Sequence, residues 1–264
     1  MSERSERPSA TATFTPRPGA APFPRMVLAQ ASMEARLLVR NGEQLLLALV
    51  IPLIALVGGV TGALALDLDL GRAPIDVLAP GVLALAVMST AFASLAIATG
   101  FERRYGLIKR LGASPLPRSG LLLGKVGALL LVEVAQMVVI GGVAVAMGWE
   151  PDPGGWPGVL AVVLAGTFAF ASLGLLMAGT LRAEATLAAA NLVYLLLLAG
   201  GAVVLPVSAY GGFGAVVGWL PSGALGESLR QATLDGAFPV TGLLVLLGWG
   251  MLGTVLTART FRWE

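Results

Sequence analysis

The 264-residue chain is 56% hydrophobic and only 12% charged, with a mean hydropathy of +0.86. Soluble domains carry about 25% charged residues, so this composition excludes a soluble globular protein and indicates an integral membrane protein. The formal net charge is +2, and the chain has no cysteine and no histidine. Disulfides and thiol chemistry are therefore excluded, and the commonest metal ligand is absent, so we expect no metal site. We also expect no nucleic-acid partner.

Residues 1–24, MSERSERPSATATFTPRPGAAPFP, are rich in Pro, Ser, Thr and Arg and contain no apolar run. We expect a disordered cytoplasmic tail without a secretory signal peptide. The following residues, 26–43, carry an apolar stripe and an opposite polar stripe: Met26, Ala29, Met33 and Leu37 against Ser32, Arg36, Arg40 and Glu43. This pattern favours an amphipathic helix in the inner membrane interface, and a leader that merely extends the first span is the alternative.

Six apolar segments are long enough to cross a bilayer, since a spanning helix needs about 20 residues. They cover residues 45–66, 77–100, 119–147, 158–180, 185–205 and 241–257. Pro52 and Pro80 lie in the first two, where neighbouring helices can re-satisfy the freed carbonyls. We predict an all-α integral membrane protein in which residues 25–264 form a single transmembrane domain.

The positions of Lys and Arg predict the orientation of these spans. If the N-terminus is inside the cell, 15 of the 17 basic residues are cytoplasmic, and only Arg72 and Arg230 are outside. The opposite orientation would reverse this ratio. The bias toward Ala, Gly, Leu, Val and Arg also suggests a bacterial source. We therefore predict a multi-pass protein of a bacterial cell membrane with both termini in the cytoplasm.

The most charged loop is FERRYGLIKRLGASPLPRSG, residues 101–120, between the second and third spans. Helix formers dominate from Glu102 to Leu111 apart from Gly106, and two prolines then stop the helix. Tyr105, Ile108 and Leu111 share one face. A positive-inside anchor would explain the basic residues, but it has no use for an apolar face. The pattern therefore favours a short cytoplasmic docking helix.

Polar residues inside the spans are few. Glu133 lies near the middle of the third span, where a carboxylate costs about 2.5 kcal/mol or more and should face the bundle interior or a wet path. Gln136 is three residues on and shares its face. The pair is a candidate for the translocation path of cationic substrates or protons. A structural contact with another helix, for instance through Asn191 or Thr167, is the alternative.

Residues 206–239 form a connection too long for a simple turn and too apolar for a solvated loop. Residues 213–220 could dip into the outer leaflet and return through Pro221. A helix is predicted from Ser222 to Leu234, with Ser222 as the N-cap and Gly236 beyond the end. We predict a re-entrant helical hairpin, with a loose amphipathic loop as the alternative.

Three stretches resemble permeases of the ABC type 2 exporter family. FERRYGLIKRLGASPLPRSGLLLGKV resembles the family's loop between spans two and three, with an acidic residue and Arg, an aromatic, Gly, Lys-Arg-Leu, Pro and a later Lys. LLVRNGEQLLLALVIPLIALVGG resembles its Arg-Asn leader and first span. LPSGALGESLRQAT is similar to its outer motif, in which Pro221 is followed nine residues later by Arg230, but it departs from that motif at Ser222 and Ala224.

The resemblance implies a permease subunit of an ATP-binding cassette exporter that moves a small amphipathic molecule, such as a drug, antibiotic or lipid-like compound, out of the cell. Such permeases pair with a second copy or a paralogue and sit on ATPase subunits. The loop would act as the coupling helix through Glu102, Arg103, Arg104, Tyr105, Ile108 and Leu111. This chain would bind no cofactor, because ATP and magnesium would be held by the partner ATPase.

The string GLLLGKV, residues 120–126, only superficially resembles a phosphate-binding loop. It has one residue too few between the glycines, and Val126 cannot ligate magnesium. We therefore expect the chain itself not to be an enzyme. The sequence also shows no set of residues inside the bilayer that could carry out the acid–base or metal chemistry of an intramembrane enzyme. An ATP-independent secondary transporter or channel is the alternative, although such proteins usually show more intramembrane charge, inverted repeats or a pore signature.

Overall fold

The structure is a computed structural model that describes residues 21–40, 42–107 and 117–261. In these ranges the chain forms helices and turns without any β-strand, and six helices are long and apolar enough to cross a membrane. The predicted all-α fold with six spans is confirmed. Residues 1–20 of the predicted tail, together with Ile108 and Leu111, lie outside the described residues.

The α-helices, in chain order, are α1 Phe23–Arg40, α2 Gly42–Ala65, α3 Pro74–Arg104, α4 Arg118–Ala146, α5 Trp156–Thr180, α6 Ala183–Gly200, α7 Gly214–Val217, α8 Pro221–Asp235 and α9 Val240–Thr260. The spans are α2 to α6 and α9. Their ends agree with the predicted segments to within a few residues, except that α6 ends at Gly200 where a span to residue 205 was predicted.

Helix α3 forms the centre of the bundle and is the most buried of the six spans. Its middle portion, Ser89–Ser94, is a π-helix. Gly174 of α5 lies against it so closely that a Cβ there would be 2.9 Å from the carbonyl oxygen of Phe92. The rings of Phe92 and Phe170 pack edge to face beside this crossing, with centroids 6.3 Å apart. The core therefore forms around α3, which runs from one end of the bundle to the other.

Helices α5 and α9 form the most extensive pair. Gly253 of α9 faces Ser172 of α5, where a Cβ would come within 2.3 Å of the hydroxyl oxygen. The Thr257 hydroxyl donates to the Ser172 carbonyl at 3.1 Å, which adds a polar contact across the pair. Small residues at a helix interface allow this close approach in membranes.

The connection between α6 and α9 begins with an unexpected turn. Helix α6 stops five residues early, where Gly200 and Gly201 are followed by Ala202 with a φ of +52°. Residues 201–205 run without helical structure, and a 3₁₀ segment Val207–Phe213 leads into α7 and then α8. The chain thus has a helical segment on each side of Pro221, and the re-entrant hairpin stays a prediction.

Helix α8 begins one residue earlier than predicted, at Pro221. The N-cap is Leu220 rather than Ser222, and the Ser222 hydroxyl instead donates to the Gly201 carbonyl at 2.7 Å. The N-cap prediction was wrong because this hydroxyl serves the turn after α6. Gly236 takes a left-handed φ of +60° and ends the helix, as predicted.

Helix α1 lies along the first half of α4 and begins inside the predicted tail, at Phe23. The two backbones are close, because a Cβ on Gly124 would lie 2.5 Å from the Gln30 side chain. Gln30 is buried, whereas Met33 and Leu37 of the predicted apolar stripe are 42% and 56% exposed. Ser32, Arg36 and Arg40 of the predicted polar stripe are exposed as well. The position of this helix in the membrane interface stays a prediction.

Candidate functional site

A buried cluster of charged side chains lies at the end of the bundle where α3 ends and α4 begins, which we call the loop end. Lys125 of α4 is only 6% exposed. Its Nζ lies 3.1 Å from Glu34 of α1 and 2.7 Å from the carboxylate of Glu102 of α3. Gln30 donates to the same Glu34 oxygen at 2.9 Å. This Lys125 cluster joins three helices through charges that are too buried for water to screen well.

The last turn of α3 is also joined to the turn between α5 and α6. Arg103 donates from Nη1 to the Gly179 carbonyl at 2.7 Å and from Nη2 to the Leu181 carbonyl. Arg104 pairs with Glu184 at the start of α6, where both side chains are at least half exposed. Glu102, Arg103 and Arg104, which were predicted to face an ATPase, thus have partners within this chain, and they connect α3 to α4, α5 and α6.

The predicted coupling helix does not begin at Glu102. Residues 102–104 complete α3, and Gly106 breaks the helix with a left-handed φ of +69°. Tyr105 at this break is 70% exposed, and its ring stacks on Phe101 with a centroid distance of 6.2 Å. The loop therefore starts from a rigid, partnered helix end that displays one exposed aromatic side chain.

Gln136 binds two neighbouring spans in the middle of the membrane. It is fully buried; its amide nitrogen donates to the Ala48 carbonyl of α2 at 2.9 Å, and its amide oxygen accepts from the Thr90 hydroxyl of α3 at 3.1 Å. Both ends of the amide are thus used, which suits a structural contact between α2, α3 and α4.

Glu133 is equally buried, at 1% exposed, but it faces α5. Its Oε2 accepts from the Thr167 hydroxyl at 2.6 Å, which is one of the two contacts considered from the sequence. Asn191, the other, is exposed on α6. The Oε1 atom has no hydrogen-bond partner within the part of the chain that the structure describes. Glu133 therefore has one oxygen free to accept a hydrogen bond among the described residues, whereas both polar atoms of the Gln136 amide are already bonded.

At the opposite end, Arg230 of α8 fixes the irregular residues 201–205. Its guanidinium is 5% exposed and donates to the carbonyls of Val203, at 3.1 Å, and Val204, while Nε donates to the Val77 carbonyl of α3 at 3.2 Å. Glu227 lies 3.4 Å from Nη1. Pro221, the other predicted residue of this motif, occupies the first turn of α8, where its missing N–H is harmless. Arg230 is thus the buried clamp of this motif, while Glu227 beside it is about half exposed.

A comparison with protein-family models matches residues 27–234 to the ABC-2 type transporter family. The matched range is well over half of the chain. The chain belongs to the ABC-2 type transporter family. No curated protein matches it. As an ABC-2 chain with six apolar helices, it is a multi-pass membrane protein and the permease component of a transporter.

The ABC-2 match includes the described candidate residues at both ends and in the middle of the membrane. Sequence reasoning missed Glu34 as a partner of Lys125, and it missed the carbonyl acceptors of Arg103 and Arg230. A lysine in an apolar stretch does signal that a carboxylate must lie nearby. Which carboxylate it is could not be predicted, because Glu34 lies 91 residues from Lys125 in the chain.

Proposed function

We propose that this ABC-2 permease exports a small amphipathic molecule, such as a drug, antibiotic or lipid-like compound, from a bacterial cell with energy from a separate ATPase subunit. ATP and magnesium would be bound by that subunit, and the assembled complex would hydrolyse ATP. The loop end would be cytoplasmic, as would both termini. A second copy of the chain, or a paralogue, would complete the membrane part.

The connected loop end supports this proposal most directly. Lys125 links α1, α3 and α4, and Arg103 links α3 to the turn before α6. A displacement applied at the loop would therefore move several spans together, as coupling requires. An anchor that only fixed the orientation would need positive charge there but no buried ion pairs between helices.

The intramembrane residues Glu133 and Gln136 are proposed to belong to, or to border, the translocation path. Their geometry separates their roles, because Gln136 is occupied by α2 and α3 whereas Glu133 has one oxygen without a partner among the described residues. We therefore assign substrate contact to Glu133 and helix positioning to Gln136.

A paired substitution tests whether the loop docks an ATPase. Tyr105→Ala with Ile108→Ala keeps every Lys and Arg, so we expect normal expression and orientation. The few anchor residues of an interface cost more than about 1 kcal/mol each when truncated to alanine. If Tyr105 and Ile108 are such anchors, the affinity for the ATPase should fall about tenfold or more, with transport falling in parallel. Co-purification from membranes and ATP-dependent export measure the two effects.

The matched control removes two exposed apolar side chains from the opposite end, by Phe213→Ala with Val216→Ala. These residues are 77% and 66% exposed. We expect this variant to bind the ATPase like the wild type. If the loop variant also binds and exports normally, residues 101–120 are only an anchor, and the coupling contact must be sought first in α1.

A further inference from the structure

An apolar cleft of about 500 Å³ opens between α4, α5 and α9 in the half of the bundle nearest the loop end. Its walls are Leu and Val side chains of α4, the face of α5 around Phe168 and the last turns of α9. The α4 wall extends from Leu122 to Leu130, which is about 12 Å along a helix. This length and volume suit a small ligand with an extended apolar body.

Most hydroxyl groups on the walls already donate to the backbone. Ser172 donates to the Ala169 carbonyl at 2.8 Å, Thr254 to Gly250 at 2.8 Å and Thr257 to Ser172 at 3.1 Å. They therefore present little unmet hydrogen-bonding capacity to a ligand. The walls of the cleft therefore favour the apolar part of a ligand, and a polar group of the ligand would have to be bound by residues other than these hydroxyls.

Thr167 forms the polar end of the cleft, and Glu133 lies directly behind it. Thr167 lines the cleft and lies 2.6 Å from Oε2 of Glu133. On α4 the lining positions Val126 and Leu130 are followed by Glu133 at helical spacings of four and three, so the carboxyl group continues the same stripe. Glu133 does not itself line the cleft; it is buried behind Thr167, beyond the membrane-centre end.

Glu133 has capacity for a cationic partner. It is 1% exposed, its Oε1 has no hydrogen-bond partner, and no Lys or Arg forms an ion pair with it within the described ranges. A buried carboxyl group without a counter-charge is costly in a bilayer and is the kind of group that binds cations there. We propose that the cleft binds an amphipathic amine, with its apolar body along α4, α5 and α9 and its ammonium group at Glu133 and Thr167. As a statement about the transported substrate, this rests on the proposed export function.

The test uses the purified full-length chain in phosphatidylcholine nanodiscs, without any ATPase. The probe is decylamine carrying a photoreactive diazirine at the end of its chain, with unlabelled decylamine and decanol as competitors. We expect saturable labelling of peptides from α4, α5 or α9, and competition by decylamine about tenfold stronger than by decanol, because only the amine pairs with the carboxylate. Labelling confined to other helices, or equal competition by the two compounds, would overturn the proposal.

Three variants separate the polar end from the apolar walls. Glu133→Gln should remove the preference for the amine while leaving competition by decanol unchanged. Val126→Trp fills the cleft and should abolish saturable labelling, whereas Val134→Trp, at a position 61% exposed on α4 and outside the cleft, should not. If Glu133→Gln does not fold, the comparison of Val126→Trp with Val134→Trp still tests the location of the site. Equal labelling of these two variants would contradict binding in the cleft. Since no ATPase is present, failure of ATPase coupling would leave this result intact.

Discussion

Replacing Lys125 by Met is expected to lower the stability of the permease by roughly 3–5 kcal/mol, because it leaves Glu34 and Glu102 buried without their cation. The three side chains are 6%, 15% and 18% exposed, so water replaces little of the lost interaction. Thermal unfolding in detergent and the yield of folded protein from membranes measure the effect. ATP-driven export should be lost with it.

A charge-balanced variant distinguishes folding from coupling. In Lys125→Met with Glu34→Gln and Glu102→Gln no charge is stranded, so we expect stability to return to within about 1 kcal/mol of the wild type. ATPase binding should also persist, while export stays low because the ion pairs between α1, α3 and α4 are absent. Export at the wild-type rate would mean that the cluster only stabilises the fold. Arg104→Gln, in an exposed ion pair, is the control and should cost no more than about 1 kcal/mol.

The second large effect is expected at Arg230. Arg230→Gln removes the donors to the carbonyls of Val203, Val204 and Val77, so residues 201–205 lose their attachment to α3 and α8. Several buried acceptors would be left unsatisfied, at a cost of several kcal/mol. We expect low yields of folded protein and rapid proteolysis within residues 201–239. Arg230→Lys should be only partly tolerated, because an ammonium cannot reproduce the planar fork of donors.

Two further substitutions check this account of the clamp. Gly81→Ala should give a similar defect, since a Cβ there would lie 2.4 Å from the Val204 carbonyl oxygen. Arg72→Gln breaks an ion pair with Asp235 in which both side chains are about half exposed, and it should change stability by less than about 1 kcal/mol. Equal stability of Arg230→Gln and Arg72→Gln would show that the clamp contributes little.

The spans were predictable because hydropathy and length are local properties of the sequence. The end of α8 at Gly236 was predictable for the same reason, since a left-handed residue after a helix favours glycine. Gly106 had been treated as a weak point inside a helix, but its positive φ ends α3 instead. The helix formers between Glu102 and Leu111 favoured a continuous helix, and this local preference is overridden at the glycine.

The contacts that define the site could not be read from the sequence because they join distant segments. Arg230 binds a carbonyl 153 residues earlier in the chain, and Arg103 binds one 76 residues later. Carbonyl acceptors have no sequence signature, since every residue carries one. Likewise, the cleft beside Glu133 depends on the spacing of α4, α5 and α9, which no single-helix pattern encodes.

The most direct test of the central claim, that the loop end is cytoplasmic and docks a separate ATPase, is labelling of single cysteines in a chain that has none of its own. With a membrane-impermeant maleimide, Tyr105→Cys should react only in inside-out vesicles, and bound ATPase should suppress the reaction. Glu150→Cys, at an exposed position between α4 and α5, should react only in intact cells and regardless of the ATPase. Labelling of Tyr105→Cys from outside intact cells, or equal labelling with and without bound ATPase, would contradict the claim.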